Sequence, residues 1–225
     1  MGARARHARG QAVHRLPAPA RLGRRGAHPP VAVKRYGLFG GSFNPAHRAH
    51  RALAQAAVAQ LGLDELVVMP AGQPWQKAGQ PMAEGRHRLA MLLLQMKGLP
   101  GVSVSSWELD RPEPSVSSDT LATLQTAQPG AWFLVIGQDQ YARLSTWRRV
   151  DALLAACTLA VVARGSEAIA PDPALPPHRA QALAMPADAI SASGVRAAIL
   201  QGADISPLVG NEVARYIAQH TLYAA

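Results

Sequence analysis

The sequence has a single cysteine, Cys157, in 225 residues, so no disulfide can form within one chain. Cys157 lies inside the apolar stretch 153–162, where it reads as a small core residue rather than a nucleophile or metal ligand. That stretch is far short of the about 20 apolar residues a membrane-spanning helix needs. No apolar core of roughly 7 to 15 residues follows the basic start, which argues against a secretory signal. A soluble cytoplasmic protein is expected, with no membrane partner. Acidic residues are absent from 1–35, where nine Arg or Lys stand. Residues 36–225 then hold 14 basic and 14 acidic residues, so the whole net charge of +9 belongs to the first segment.

A tail rich in Arg, Ala, Gly, Pro and His cannot bury enough apolar area to offset its ordering entropy, and residues 1–33 are expected to be a disordered basic tail. Three readings of it compete: an arm for nucleic acid or membrane, a targeting peptide, or a translation start placed too far upstream in a GC-rich gene. The last is favoured, because a transit peptide should be Ser-rich and helical, and Pro17, Pro19, Gly23 and Gly26 oppose a helix. With the remainder formally neutral, a polyanionic nucleic acid is not the expected partner.

From residue 36 short apolar strands alternate with amphipathic helical segments. Strands are expected at 36–39, 66–69, 102–104, 132–136 and 159–162, and helices at about 47–61, 84–97, 118–127, 147–156, 193–201 and 211–219. Five prolines in 165–190 mark an irregular excursion. Strands apolar on both faces and joined by helices imply a doubly wound α/β fold with a parallel sheet and C-terminal helices, a Rossmann-like single domain over 34–225. Ligands of such sheets bind beyond the carboxyl ends of the strands.

The first strand runs into Gly40-Gly41-Ser42-Phe43-Asn44-Pro45-Ala46-His47-Arg48-Ala49-His50. Glycines allow close approach of a bound group, and the helix that follows offers unpaired N–H donors and a positive dipole end. This is neither a Walker A loop nor a Gly-x-Gly-x-x-Gly turn. His47 and His50, three apart, share a helix face toward the same anion. Two histidines do not make a zinc site without a third ligand at suitable spacing, so no protein-held metal is expected.

The motif resembles the signature of the nucleotidyltransferase superfamily, Gly-Gly-[Thr/Ser]-Phe-[Asp/Asn]-Pro-x-His-x-Gly-His, with Ala49 in place of Gly. The resemblance implies that His47 and His50 are catalytic, contacting ATP phosphates and stabilising charge on the α-phosphate and leaving pyrophosphate. Gly40, Gly41, Ser42 and Phe43 would line the ATP site, and Mg²⁺ would accompany the triphosphate.

Later stretches are similar to those of bacterial nicotinate-nucleotide adenylyltransferases. Pro74 and Lys77 match a Pro-x-x-x-Pro-Pro-His-[Lys/Arg] loop, in which Lys77 would contact the acceptor or a phosphate. Residues 108–121 resemble Glu-Leu-x-Arg-x-x-Pro-Ser-Tyr-Thr-x-[Asp/Gln]-Thr-Leu; there Ser117 or Ser118 could cap a helix whose N–H groups receive the substrate carboxylate. Ile136-Gly137-Gln138-Asp139 and Trp147-Arg148 match Ile-Gly-[Ala/Gln]-Asp…Trp. Gly137 permits close approach to a nucleotide, and Asp139 can accept from a ribose hydroxyl or help orient the metal. The resemblance places Trp147 against a nicotinate ring and the backbone at Arg148 on its carboxylate.

Residues 190–196 resemble Ile-Ser-[Ser/Ala]-[Thr/Ser]-x-[Ile/Val]-Arg. Ser191 or Ser193 can cap that helix, and Arg196 with the helix N-terminus would form a second clamp on the triphosphate. The implied activity is transfer of AMP from ATP to nicotinate mononucleotide. Phosphopantetheine and nicotinamide mononucleotide are the competing acceptors, and a non-catalytic nucleotide- or nucleic-acid-binding protein is the competitor of another class. The sequence leaves a homo-oligomer open.

Overall fold

The computed structural model describes residues 33–73, 82–162, 168–186 and 189–224. Lys77 and residues 1–32 of the basic tail lie outside the described residues. Six strands, β1 (Arg35–Gly41), β2 (Glu65–Pro70), β3 (Val102–Val104), β4 (Ala131–Gly137), β5 (Thr158–Val162) and β6 (Ala180–Leu183), form one sheet in the order β3-β2-β1-β4-β5-β6. Every neighbouring pair is parallel.

Successive residues of a strand face opposite sides, and here both sides are apolar. Phe39, Val68, Val135 and Ala160 point into one core layer, and Leu38, Val67, Met69, Leu134, Ile136, Leu159 and Val161 into the other. The first layer is closed by α1 (Arg48–Leu61), α2 (Gly85–Met96), α6 (Ala192–Leu200), α7 (Ser206–Val209) and α8 (Asn211–Gln219). The second is closed by α3 (Ser117–Ala127), α4 (Gln138–Tyr141) and α5 (Val150–Ala156). Helix α1 stops where Gly62 turns left-handed, at φ 57°, and the Leu63 N–H returns to the Val58 carbonyl at 3.1 Å.

Two expectations need correction. The excursion after β5 contains β6, a strand that Ala-Gln-Ala-Leu does not advertise, since three of its four residues are exposed at the sheet edge. The helix expected from residue 147 begins at Val150, because Arg149 adopts φ 56° and breaks the run. No helix among the described residues is long and apolar enough to cross a membrane. The strand order reverses between β1 and β4, so the crevice beyond their carboxyl ends is where this topology accommodates a ligand.

Candidate active site

After β1 the chain passes through Ser42, Phe43 and a cis Asn44–Pro45 peptide to His47, the N-cap of α1. Phe43 holds φ 46°, a conformation disfavoured for a side chain of its size. Its buried ring meets Phe39 and His50 edge-on, with centroids at 5.3 and 4.9 Å. Asn44 is buried and gathers distant parts of the chain. Its Oδ1 accepts from the Ala83 N–H at 3.0 Å and the Tyr223 hydroxyl at 2.8 Å, and its carbonyl accepts from Arg196 Nη1 at 2.7 Å. Burial pushes the Tyr223 phenol well above its ordinary range, with Arg196 and Arg88 opposing the rise. It remains a neutral donor.

The rings of His47 and His50 stack with centroids 3.6 Å apart and planes 26° from parallel. The His47 backbone N–H donates to His50 Nδ1 at 3.1 Å. An accepting Nδ1 puts the imidazole proton on Nε2, the nitrogen free of that bond. The first turn of α1 carries no acidic residue, and neither does that of α6. No acidic residue of its own first turn therefore offsets the positive dipole end of either helix. Ser191 caps α6, its Oγ accepting from the Gly194 N–H at 3.1 Å.

These elements enclose a cleft of about 440 Å³. Gly40, Gly41, Ser42, Phe43, His47 and His50 line it from the β1–α1 turn, Gly137 from the end of β4, Gln140 from α4, Trp147 and Arg148 from the segment before α5, Ser115, Val116 and Ser117 from the start of α3, and Ile190 and Ser191 from the start of α6. Most of the residues singled out in sequence thus converge on one space. Ser118, Asp139, Ser193 and Arg196 do not line it. Asp139 is exposed on the first turn of α4 and does not line the cleft; Ser193 is exposed, 3.2 Å from the Ser191 hydroxyl; Arg196 engages the Asn44 carbonyl. The N-cap of α3 is Val116, and neither Ser117 nor Ser118 caps it. Ser117 already lies within the helix, so no serine side chain occupies the N-cap.

Other residues were not apparent as site residues. Arg88, 2% exposed, lies on the buried face of α2 and donates to the carbonyls of Ser42 and Ala71, two residues that line the cleft. Its position among Met91, Leu92, Gln95 and Met96 was the available signal, since an arginine in a core stripe needs partners. Glu108 lines the cleft and accepts from the Thr120 hydroxyl at 2.6 Å. Asp172 accepts from the backbone and hydroxyl of Ser145 and from the Ala174 N–H, pinning the chain after β5 to the turn before Trp147. The Ser145 hydroxyl and the Ala174 N–H hold its carboxyl below the usual range.

The fold is shared with a solved structure titled "Plasmodium falciparum nicotinic acid mononucleotide adenylyltransferase complexed with NaAD". The TM-score is 0.69 at 19% identity, over 84% of this chain and 97% of that one. Residues 38–198 match the cytidylyltransferase-like family model. The chain is 41% identical over 198 residues to a "Probable nicotinate-nucleotide adenylyltransferase" of Methylibium petroleiphilum, covering 85% of this chain and 93% of the relative. With a protein of the same name from Bordetella petrii the identity is 42% over 197 residues, covering 85% and 100%. The chain belongs to the nicotinate-nucleotide adenylyltransferase family. In this adenylyltransferase every residue lining the cleft falls within the span of the family model, whereas Tyr223, which braces Asn44, lies beyond it.

Proposed function

We propose that this adenylyltransferase moves AMP from ATP to nicotinate mononucleotide, giving deamido-NAD and pyrophosphate. The observation that carries the reading is the opening of the stacked His47–His50 pair, at the N-terminus of α1, onto the same cleft as Trp147 and Arg148. The cleft carries donors for phosphate on the β1–α1 turn and an aromatic side chain at Trp147.

In the reaction a phosphate oxygen of the mononucleotide attacks the α-phosphorus of ATP. The bond from that phosphorus to the oxygen bridging to the β-phosphate breaks, and pyrophosphate leaves with the bond's electrons. No covalent enzyme intermediate is needed, so catalysis rests on positioning and on donors that meet developing charge. His50 Nε2–H and His47 would serve the α- and β-phosphates. Gly40 and Gly41 allow the nucleotide close to the end of β1, Gly137 does the same at the end of β4, and the N-terminus of α6 at Ser191 offers further N–H donors. Trp147 would stack on the nicotinate ring, and the backbone at Arg148 and the start of α3 at Ser117 would receive its carboxylate.

Lys77 belongs to the acceptor side by sequence. Asp139, Ser193 and Arg196 are assigned to the nucleotide side, Arg196 by holding the phosphate-binding turn through Asn44. Among the described residues no group of three His, Cys, Asp or Glu side chains could hold a metal ion. Mg²⁺ would arrive on the triphosphate's own oxygens and water, where it would neutralise phosphate charge. Incubation with ATP labelled at the α-phosphate and nicotinate mononucleotide tests the reading: label should appear in a dinucleotide product, and none should appear when the mononucleotide is omitted.

A further inference from the structure

Among the described residues, the buried guanidinium of Arg88 is bonded to backbone carbonyls alone. Nε donates to Ala83 at 3.0 Å, Nη1 to Ser42 at 2.9 Å and Ala71 at 2.8 Å, and Nη2 reaches Gly72 at 3.5 Å. No carboxylate among the described residues pairs with it. A buried cation without a counter-ion is costly, and burial lowers its pKa accordingly, yet an arginine keeps its charge.

The carbonyls it holds include those of two neighbouring turns, the one after β1 and the one after β2. Ser42 is part of the turn that meets the phosphates. Ala71 and Gly72 follow β2 and continue through hydrogen bonds to the acceptor side: the Gly72 N–H donates to Ser115 Oγ at 2.9 Å, and the Ser115 N–H to the Gln73 carbonyl at 3.2 Å. The Ala71 N–H also bridges the two turns, donating to the Gly41 carbonyl at 2.8 Å.

We propose that Arg88 is a positioning residue that sets the separation of the triphosphate and mononucleotide subsites by holding Ser42, Ala71 and Gly72 with one guanidinium. The inference rests on the functional reading above. A ligand that spans both subsites gains affinity from their spacing, whereas a ligand that fills only one does not. Loosening the brace should therefore weaken the dinucleotide product while sparing its halves.

Calorimetric titration of the full chain with a non-hydrolysable ATP analogue, nicotinate mononucleotide and deamido-NAD reads this directly. Two variants are compared with wild type. Arg88→Lys keeps the charge but cannot reach all the carbonyls. Gly72→Ala leaves Arg88 intact and forces the turn to shift, because a Cβ there would lie 2.0 Å from the Glu108 carbonyl oxygen. In each folded variant deamido-NAD should bind about tenfold more weakly or worse, with each half-ligand changed by less than about threefold. Should Arg88→Lys fail to fold, Gly72→Ala carries the test. Product affinity that falls no further than that of the halves overturns the role of Arg88, as does lowered stoichiometry at unchanged affinity, the mark of a purely structural loss. A wild-type protein that binds the ATP analogue but neither the mononucleotide nor the dinucleotide overturns the functional reading, and the role of Arg88 with it.

Discussion

The His47 backbone N–H donates to His50 Nδ1 at 3.1 Å while the two rings stack 3.6 Å apart. The helix start thereby chooses the tautomer of its own third residue, leaving Nε2–H as the donor His50 can offer a phosphate. If both histidines meet developing phosphate charge, His47→Ala and His50→Ala should each raise the barrier by about 2 to 4 kcal/mol. The check is kcat at saturating ATP and mononucleotide, and near-normal turnover in either variant removes that histidine from the role. His50→Ala also deprives the His47 N–H of its acceptor, so thermal melting should accompany the kinetics.

Trp147 lies half-buried in the wall of the cleft, just after the turn that Asp172 pins. Trp147→Ala should raise the KM for the mononucleotide severalfold, in line with about 0.5 to 1.5 kcal/mol of stacking, and that for ATP much less. Equal increases for both substrates would assign the ring to packing.

Tyr223→Phe removes one of the donors to Asn44 Oδ1 and leaves the ring in place. It should cost about 1 kcal/mol of stability at neutral pH. The folded-state pKa of Tyr223 is raised, so its contribution is present below the unfolded value of about 10 and fades as the unfolded phenol ionises above it. Melting temperatures measured across this range should show the wild type losing its advantage over Tyr223→Phe at alkaline pH. A constant difference would show that the phenol is not held neutral by the fold.

The carboxyl of Asp172 is shifted the other way. Its contribution is present above the unfolded carboxylate value of about 3.9 and is lost as pH falls through the lower folded-state value. Asp172→Asn should therefore melt earlier than wild type at pH 7, with the gap closing in strong acid. A gap independent of pH would mean that the carboxylate charge plays no part in the pinning.

Much of this architecture was legible because apolar runs and amphipathic periods mark strands buried on both faces and the helices that cover them. The β1–α1 turn was legible because glycines and two histidines stand at a strand-to-helix junction. β6 escaped notice, since only Leu183 of its four residues is buried. The start of α5 was misplaced because nothing in Trp147-Arg148-Arg149 announces a left-handed Arg149. The α3 cap fell on Val116 because the serines after it lie inside the helix. Arg88 was missed for a different reason: its partners are backbone carbonyls of Ser42, Ala71, Gly72 and Ala83, and carbonyls leave no trace in residue type.

The acceptor is read by the initial rate of pyrophosphate release from ATP with nicotinate mononucleotide, nicotinamide mononucleotide or phosphopantetheine. Release should occur with nicotinate mononucleotide, be lost in His50→Ala, and be absent with phosphopantetheine. Release with phosphopantetheine alone, or no release with nicotinate mononucleotide, would contradict the proposed transfer of AMP to nicotinate mononucleotide.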